Sequence, residues 1–167
     1  LRALLRKGDS ARQPLDVSEV AREVLDLAYG ELTSRRILVK TALSRTTPLV
    51  LGERVQLQQV VLNLVLNACD AMNNTHAPDR QLVLSTTADD AAVELAVSDR
   101  GPGIPDGQLE RVFEPFVTFR EHGLGLGLAI SRSIVTSHGG SIKAENNVDG
   151  GATFRFLLPV ADGGAFM

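Results

Sequence analysis

Two glycine clusters, about twenty residues apart, constrain this sequence more than any other feature. A strand-like run at 93–97 ends at Asp99, and Gly101 and Gly103 follow at once. The second cluster precedes an apolar helical pattern and consists of Gly123, Gly125 and Gly127. Glycines let backbone N–H groups approach a ligand closely, and the start of a helix adds unpaired N–H groups and a positive dipole end. The arrangement is typical of a phosphate-binding site, and Asp99 is suited to accept a hydrogen bond from an exocyclic amine.

The glycine clusters do not fit the two commonest nucleotide motifs. A P-loop requires Gly-Lys followed by Ser or Thr, and the sequence contains no such tripeptide. A dinucleotide-binding fold requires G-x-G-x-x-G directly after a strand. Here Pro102 and Pro105 surround Gly103, and the second cluster is spaced G-x-G-x-G. The sequence therefore indicates a nucleotide site of a third kind.

Composition sets the broad class of protein. The chain has 167 residues, of which 44% are hydrophobic, enough for one domain with its own core. A formal net charge of −3 argues against a nucleic-acid partner. The single cysteine, Cys69, rules out an internal disulfide and fits a reducing compartment. No apolar run approaches the length of a membrane span, so we expect no membrane contact by this domain. Because the first residue is Leu, we expect a part of a longer protein, whose membrane anchoring stays open.

Residue periodicity predicts a mixed α/β domain. Helical spacing predicts helices at 18–34, from 53 or 54 to 72, and at 125–138. Alternation predicts strands at 37–43, 48–51, 81–87, 92–99, 141–145 and 152–158, after an extended piece at 13–16. The segment 101–122 is too long for an ordinary connection and reads as a functional lid with a helical turn near 108–112. Because several strands form hairpins, we expect a two-layer sandwich: one mixed, mostly antiparallel sheet with helices on one face.

The predicted long helix carries a second polar group. Asn63, Asn67 and Asp70 are separated by four and three residues, so they fall within one narrow stripe of the helix. An Asn carbonyl oxygen together with phosphate oxygens suits Mg²⁺. Taken alone, the stripe favours the ordinary alternative, in which these side chains bond to nearby backbone groups.

Five sequence boxes, in this order, resemble the catalytic, ATP-binding domain of bacterial two-component sensor histidine kinases, within the GHKL superfamily that shares the Bergerat fold. They are QQVVLNLVLNACDAM (asparagine box), DRGPGI (first glycine box), VFEPFVT (phenylalanine box), GLGLGLAIS (second glycine box) and GGATFRFLLP (closing hairpin). The match runs from about 13 to 159. It implies that 1–10 end a dimerisation helix and linker, that 11–160 form the catalytic domain, and that 161–167 are a flexible tail.

The resemblance implies a role for each matched position. Asn67 would be the main Mg²⁺ ligand, with Asn63 facing the phosphates of ATP. Asp99 would accept from the adenine N6 amine, where guanine presents an oxygen and would be repelled. Thr153 would reach the adenine side through water. The positions that would line the adenine and hold the triphosphate are Gly101, Gly103, Ile104, Gly123, Leu124, Gly125, Leu126, Gly127 and Leu128. Phe113 and Phe116 would anchor the lid.

Three features depart from the family pattern. Asp70 stands where a basic residue is common, which resembles the nitrogen- and oxygen-regulator branch and makes a phosphate contact from this position doubtful. Phe119 and Arg120 stand where Thr-Lys is common; Arg120 would supply a cation to the γ-phosphate or be a solvated lid charge. The lid is also short.

The implied activity is that of an ATP-dependent protein-histidine kinase. The domain would transfer the γ-phosphoryl of ATP to a histidine on a separate dimerisation domain, for relay to a response regulator in the cytoplasm. The isolated domain is expected to be a monomer and the intact kinase a homodimer. None of His76, His122 and His138 lies in an acceptor helix, so each is expected to be a surface or capping side chain. Two alternatives stay open: a nucleotide-sensing pseudokinase, or a protein serine kinase of the same fold.

Overall fold

A computed structural model describes residues 12–117 and 125–161. The helices are α1 (Val17–Leu27), α2 (Tyr29–Ser34), α3 (Arg54–Ala71) and α4 (Gly127–Ser137), with single 3-10 turns at Ala77–Asp79 and Arg111–Phe113. The strands are β1 (Arg12–Leu15), β2 (Leu38–Ala42), β3 (Val50–Glu53), β4 (Gln81–Ala88), β5 (Ala92–Ser98), β6 (Ser141–Asn146) and β7 (Ala152–Pro159). No helix among these residues is both long and apolar enough to cross a bilayer.

The main sheet has five strands in the order β2-β4-β5-β7-β6. β2 runs parallel to β4, and the remaining pairs are antiparallel. The core-facing residues of β5 are buried, and these residues are Val93, Leu95 and Val97. The intervening positions face the other side of the sheet, since side chains alternate along a strand. The predicted two-layer α/β sandwich with a mixed, mostly antiparallel sheet is therefore confirmed.

A second, two-stranded sheet was not expected from the sequence. β1 pairs antiparallel with β3, with Arg12 opposite Glu53. Val50 also forms an isolated bridge with Val160, directly after β7. This small sheet therefore connects the start of the described chain to the residue that precedes α3.

The helix predicted at 18–34 is two helices, separated at Ala28. Asp16 caps α1 by accepting a hydrogen bond from the backbone N–H of Ser18 at 2.9 Å. Glycine lowers helix stability by about 1 kcal/mol relative to alanine, and Gly30 lies in the first turn of α2. The buried side remains continuous across the break.

Helix α3 forms the centre of the core. It lies between α1 and α4 in the helical layer, and it contacts both of these helices as well as strands β4 and β5. Its buried apolar residues are Leu57, Val60, Val61, Leu64, Val65, Ala68 and Cys69. Cys69 is 1% exposed and is a core residue, and this burial raises the pKa of its thiol to about 11. Because the apolar side of α3 is buried in the core, the polar side chains of α3 occupy fixed positions.

Candidate functional site

The turn after β5 holds the carboxylate of Asp99 in place. Asp99 is 2% exposed, and its Oδ1 accepts hydrogen bonds from the backbone N–H groups of Gly101 at 2.8 Å and Ala152 at 3.2 Å. Its own backbone N–H donates to the Ala152 carbonyl at 2.9 Å. β5 and β7 are thus joined just where β5 ends. The result is a buried, oriented acceptor at the edge of the helical layer.

Gly101 packs against the end of helix α3. A Cβ at Gly101 would lie 2.6 Å from the carbonyl oxygen of Ala71, closer than any side chain tolerates. The backbone N–H of Arg100 also lies 3.4 Å from the sulfur of Met72, the C-cap of α3. The absence of a side chain at 101 is therefore what lets the Asp99 turn contact α3.

The loop beyond Gly101 is fastened to strand β6 by Asn146. Asn146 Oδ1 accepts from the backbone N–H of Ile104 at 2.7 Å, and Asn146 Nδ2 donates to the Ile104 carbonyl at 2.9 Å. Gly103 has φ +81°, and a Cβ there would lie 2.8 Å from Asn146 Oδ1. Sequence reasoning missed Asn146, because an Asn pair in a hairpin connection is typical of ordinary turn chemistry.

The two asparagines of α3 lie nearer its middle. Asn63 Nδ2 donates to the Gly127 carbonyl at 3.2 Å and lies 3.3 Å from Ser131 Oγ, so Asn63 contacts the start of α4. Because the amide NH₂ faces α4, its Oδ1 lies on the other side of the amide group. Asn67, one turn further along, is 8% exposed. The structure therefore turns Asn63, the first member of the predicted stripe, toward the N-terminus of α4.

Asp70 lies outside this grouping. Its carboxylate forms an ion pair with Arg35, which follows α2, at 2.8 Å. The partly exposed side chains of Arg35 and Asp70 join α2 to the C-terminal turn of α3. This ion pair agrees with the expectation that Asp70 does not contact a phosphate.

The two parts of the lid that the structure describes meet at Gly125. The backbone N–H of Phe116 donates to the Gly125 carbonyl at 2.9 Å, and a Cβ at Gly125, which has φ +75°, would lie 2.6 Å from the carbonyl carbon of Phe116. Leu126, Gly127 and Leu128 follow, and α4 begins at Gly127. Three predicted site residues lie outside the described part of the chain: Arg120, Gly123 and Leu124.

Helix α3 brings the two glycine clusters into one arrangement. Its middle contacts Gly127 through Asn63, and its end contacts Gly101 through Ala71. Asn63 and Ala71 are eight residues apart, which is about 12 Å along a helix. An elongated ligand with a polar ring at one end and anionic groups at the other fits such an arrangement.

The structure places Thr153 away from the Asp99 carboxylate. Thr153 pairs with Ser98 in the sheet register, and its hydroxyl donates to Asn147 Oδ1 at 2.6 Å and lies 2.9 Å from Ser98 Oγ. Since side chains alternate, Ser98 and Thr153 face the side of the sheet opposite to Asp99. The expected water-mediated contact of Thr153 with an adenine near Asp99 is corrected accordingly.

The same open face of the sheet carries a groove of about 900 Å³. Its lining includes Val83, Ser98, Asp99 and Glu145 but neither Asn63 nor Asn67. The groove therefore reaches the Asp99 turn but not the asparagines of α3.

The two phenylalanines expected to anchor the lid differ. Phe113 is buried, packs edge-to-face on Phe154 with ring centroids 6.0 Å apart, and lies beneath the Arg132 guanidinium. Phe116 is 74% exposed and has φ +68°. The expectation for Phe116 was wrong, because its backbone bond to Gly125 turns the side chain outward.

The three histidines also differ from one another. His76 is exposed, as expected. His138 follows α4 at its C-cap position but is 5% exposed, so it is not a surface residue. His122 lies outside the described residues.

Comparison with known proteins identifies the arrangement. The family model described as histidine kinase-, DNA gyrase B- and HSP90-like ATPase matches residues 52–162. The chain belongs to this family. The match spans α3, both glycine clusters and the closing hairpin. This chain is therefore an ATP-binding domain, homologous to the catalytic domains of sensor histidine kinases.

The relatives of this domain are longer proteins. Sensor protein FixL of Bradyrhizobium diazoefficiens is 40% identical over 163 residues, which cover 97% of this chain and 32% of FixL. Sensor histidine kinase TmoS of Ectopseudomonas mendocina is 34% identical over 163 residues, or 96% of this chain and 17% of TmoS. The chain thus spans a third or less of the length of these relatives.

Solved structures share the fold. The nucleotide-free catalytic domain of histidine kinase ThkA has a TM-score of 0.79 at 30% identity, covering 89% of this chain and 95% of that domain. Full-length ShkA in complex with AMPPNP has a TM-score of 0.78 at 29% identity, covering 91% of this chain and 32% of ShkA. ThkA in complex with the response regulator TrrA has a TM-score of 0.77 at 28% identity, covering 90% of this chain and 42% of that one.

Replacing Gly101 with alanine tests the contact between the turn and α3. The new methyl group would overlap the Ala71 carbonyl, so we expect Gly101→Ala to lower the free energy of unfolding by about 1–3 kcal/mol, as overpacking does. Urea unfolding followed by circular dichroism measures the change. Gly30→Ala is the matched control, because its Cβ meets nothing within 4 Å and it should leave stability unchanged or raise it. Equal stability of Gly101→Ala and the wild-type chain would contradict the contact.

Proposed function

We propose that this chain binds Mg²⁺-ATP along helix α3 and presents the γ-phosphoryl group to a histidine on a separate dimerisation domain of a longer protein. The phosphoryl group would then pass to a response regulator. The proposal rests on one observation above all: α3 contacts the Asp99 turn at its end and the start of α4 near its middle. The ShkA complex with AMPPNP and the ThkA complex with TrrA support nucleotide binding and relay.

At one end of α3, Asp99 would select the base. Its carboxylate is an acceptor whose orientation is fixed by the N–H groups of Gly101 and Ala152. A carboxylate in this position favours the N6 amine of adenine and repels the O6 of guanine. Ile104, held by Asn146, would lie beside the ring.

At the other end, Asn63, Asn67 and the N-terminus of α4 would hold the triphosphate. Amide oxygens are hard donors that fit Mg²⁺ together with phosphate oxygens, so the two asparagines suit this metal. When bound, the metal supplies charge neutralisation on the triphosphate. The N–H groups at the start of α4, beginning at Gly127, would bind phosphate oxygens and stabilise their charge.

The residues of this chain would act by positioning. Phosphoryl transfer requires little covalent chemistry from the protein, so alignment and charge stabilisation dominate. Helix α3 carries no Glu that could activate water for attack on ATP. We therefore expect slow ATP hydrolysis and transfer only when the acceptor histidine is presented. In the intact kinase the acceptor would come from a dimeric helical domain, and the reaction would take place in the cytoplasm.

Mixing this chain with the histidine-bearing dimerisation domain of its parent protein and γ-labelled ATP tests the function. We expect labelled dimerisation domain whose phosphate is lost in acid, because phosphohistidine hydrolyses in acid while phosphoserine survives. Acid-stable label would indicate the serine kinase instead. Tight ATP binding without any transfer would indicate a nucleotide-sensing pseudokinase.

The Asp99→Asn substitution tests base recognition. The amide presents a donor where the carboxylate accepts, so we expect ATP affinity to fall by about 10-fold to 100-fold, as for a buried hydrogen bond that is lost. Isothermal titration calorimetry measures the affinity. Asp106→Asn makes the same charge change at an exposed loop position and should bind ATP as the wild type does. If Asp99→Asn retains wild-type affinity, Asp99 does not recognise adenine.

The Asn67→Ala substitution tests the metal site. Removing the amide oxygen should abolish most of the Mg²⁺ dependence of ATP binding, measured as the ratio of affinities with and without Mg²⁺. Asn74→Ala, an exposed position shortly after the same helix, is the matched control. An unaltered ratio in Asn67→Ala would remove Asn67 from the metal site.

A further inference from the structure

His138 joins the end of helix α4 to the start of helix α3. Its Nδ1 lies 2.8 Å from the Ile134 carbonyl, and its Nε2 lies 3.1 Å from the backbone N–H of Glu53, the residue directly before α3. A carbonyl can only accept and a backbone N–H can only donate. The ring must therefore be neutral, with its proton on Nδ1 and an acceptor lone pair on Nε2.

Two polar contacts bracket the packing of α3 against α4. One is His138 with Glu53, and the other is Asn63 with Gly127. Glu53 and Asn63 are ten residues apart, and Gly127 and His138 are eleven residues apart, so the bracketed lengths are about 15 Å and 16 Å. The two helices are antiparallel here and the polar contacts lie at opposite ends of one interface.

Between these ends the contact is apolar, with Leu57 and Val60 of α3 and Val135 of α4 buried. Apolar burial is non-directional, so it tolerates a shift of one helix along the other. Hydrogen bonds are directional and fix such a shift. The polar contacts therefore define how far along α3 the N-terminus of α4 lies.

We propose that His138 is a positioning residue for nucleotide binding, whose bond to the Glu53 N–H fixes α4 along α3 and so places the α4 N-terminus opposite Asn63 and Asn67. This inference rests on the proposed function, in which Asn63 turns toward the phosphates. The hydrogen bonds from Asn63 to α4 would then be weakened or shared with the ligand. The His138 contact, about 15 Å away on the far side of the interface, keeps the two helices aligned.

The surroundings of the ring favour the neutral form. Burial lowers the pKa of His138 below its ordinary value of 6.5, and the Arg12 guanidinium on β1 lowers it further. The Ile134 carbonyl and the Glu53 carboxylate act in the opposite direction but do not restore the ordinary value. Protonation would place an N–H at Nε2 against the Glu53 N–H and break the bond. The contribution of this hydrogen bond to stability is therefore complete above pH 6.5. It is lost as the pH falls from 6.5 toward the lowered pKa of His138.

A pair of substitutions separates the bond between helices from the bond within α4. In His138→Gln, the longer amide can place its oxygen near the position of Nε2 and accept from the Glu53 N–H. In His138→Asn, the shorter amide reaches only the Ile134 carbonyl. By calorimetry with Mg²⁺-ATP at pH 7.5, we expect His138→Gln within about twofold of wild type and His138→Asn about fivefold to tenfold weaker. His76→Asn is the exposed control and should bind as wild type does.

Two readouts on the folded protein complete the test. Nitrogen-15 NMR of the wild-type imidazoles should show His138 neutral with its proton on Nδ1 at pH 7. Between pH 7.5 and 5.5, the ATP affinity of the wild-type chain should fall relative to that of His138→Gln, since titration of ATP itself is common to both. These readouts decide the proposal if His138→Asn fails to fold.

Failure of the proposed function and failure of the inference about His138 give different results. A wild-type chain that binds no ATP would overturn the proposed function and this inference with it. A wild-type chain that binds ATP, together with folded Gln and Asn variants of equal affinity, would overturn this inference alone. A proton on Nε2 at neutral pH would also overturn it, because the bond from Glu53 requires an acceptor there.

Discussion

The contact between the C-terminal turn of α3 and the glycine turn after β5 is the constraint on which this domain depends. A glycine at 101 lets the backbone approach the Ala71 carbonyl, and the same turn fixes the Asp99 carboxylate. Helix α3 is anchored by its buried apolar residues, so it transmits this placement to the asparagines one and two turns earlier. The candidate site is thus an extension of the core, since the helix that fills the core also spaces the polar groups.

Two polar side chains on α3 contact different elements. Asn63 donates to the start of α4, whereas Asp70 is held by Arg35 near α2. The two side chains differ by only about 20° around the helix axis, but Asp70 lies about 10 Å further along it. The position of Asp70 near the end of α3 therefore places its carboxylate in an ion pair, and the side chain that faces the start of α4 is a neutral amide. In the proposed function, a neutral amide there avoids placing a carboxylate beside an anionic ligand.

Sequence reasoning succeeded where a periodic pattern or a composition rule determines the outcome. The helical period predicts α3, and the alternation of β4 and β5 predicts the central hairpin. It failed where the outcome depends on a partner distant in sequence. The Thr153 hydroxyl points away from Asp99 because the register with Ser98 sets its face, and a motif alone does not reveal that register.

Two further side chains show the same dependence. His138 ends the helix as the sequence predicts, but the sequence pattern does not reveal that it is buried and that its ring accepts from the Glu53 N–H. Phe116 reads as an anchor, but its backbone bonds to Gly125 and its side chain is exposed. In both, a single long-range hydrogen bond determines where the side chain lies.

In the proposed function, one helix spaces the two ends of a bound ATP. A crystal structure of this chain with a non-hydrolysable ATP analogue and Mg²⁺ tests this spacing. We expect the adenine amine within hydrogen-bond distance of the Asp99 carboxylate and the triphosphate between Asn67 and the first turn of α4. An analogue bound in the groove on the open face of the sheet, with both asparagines uncontacted, would contradict it.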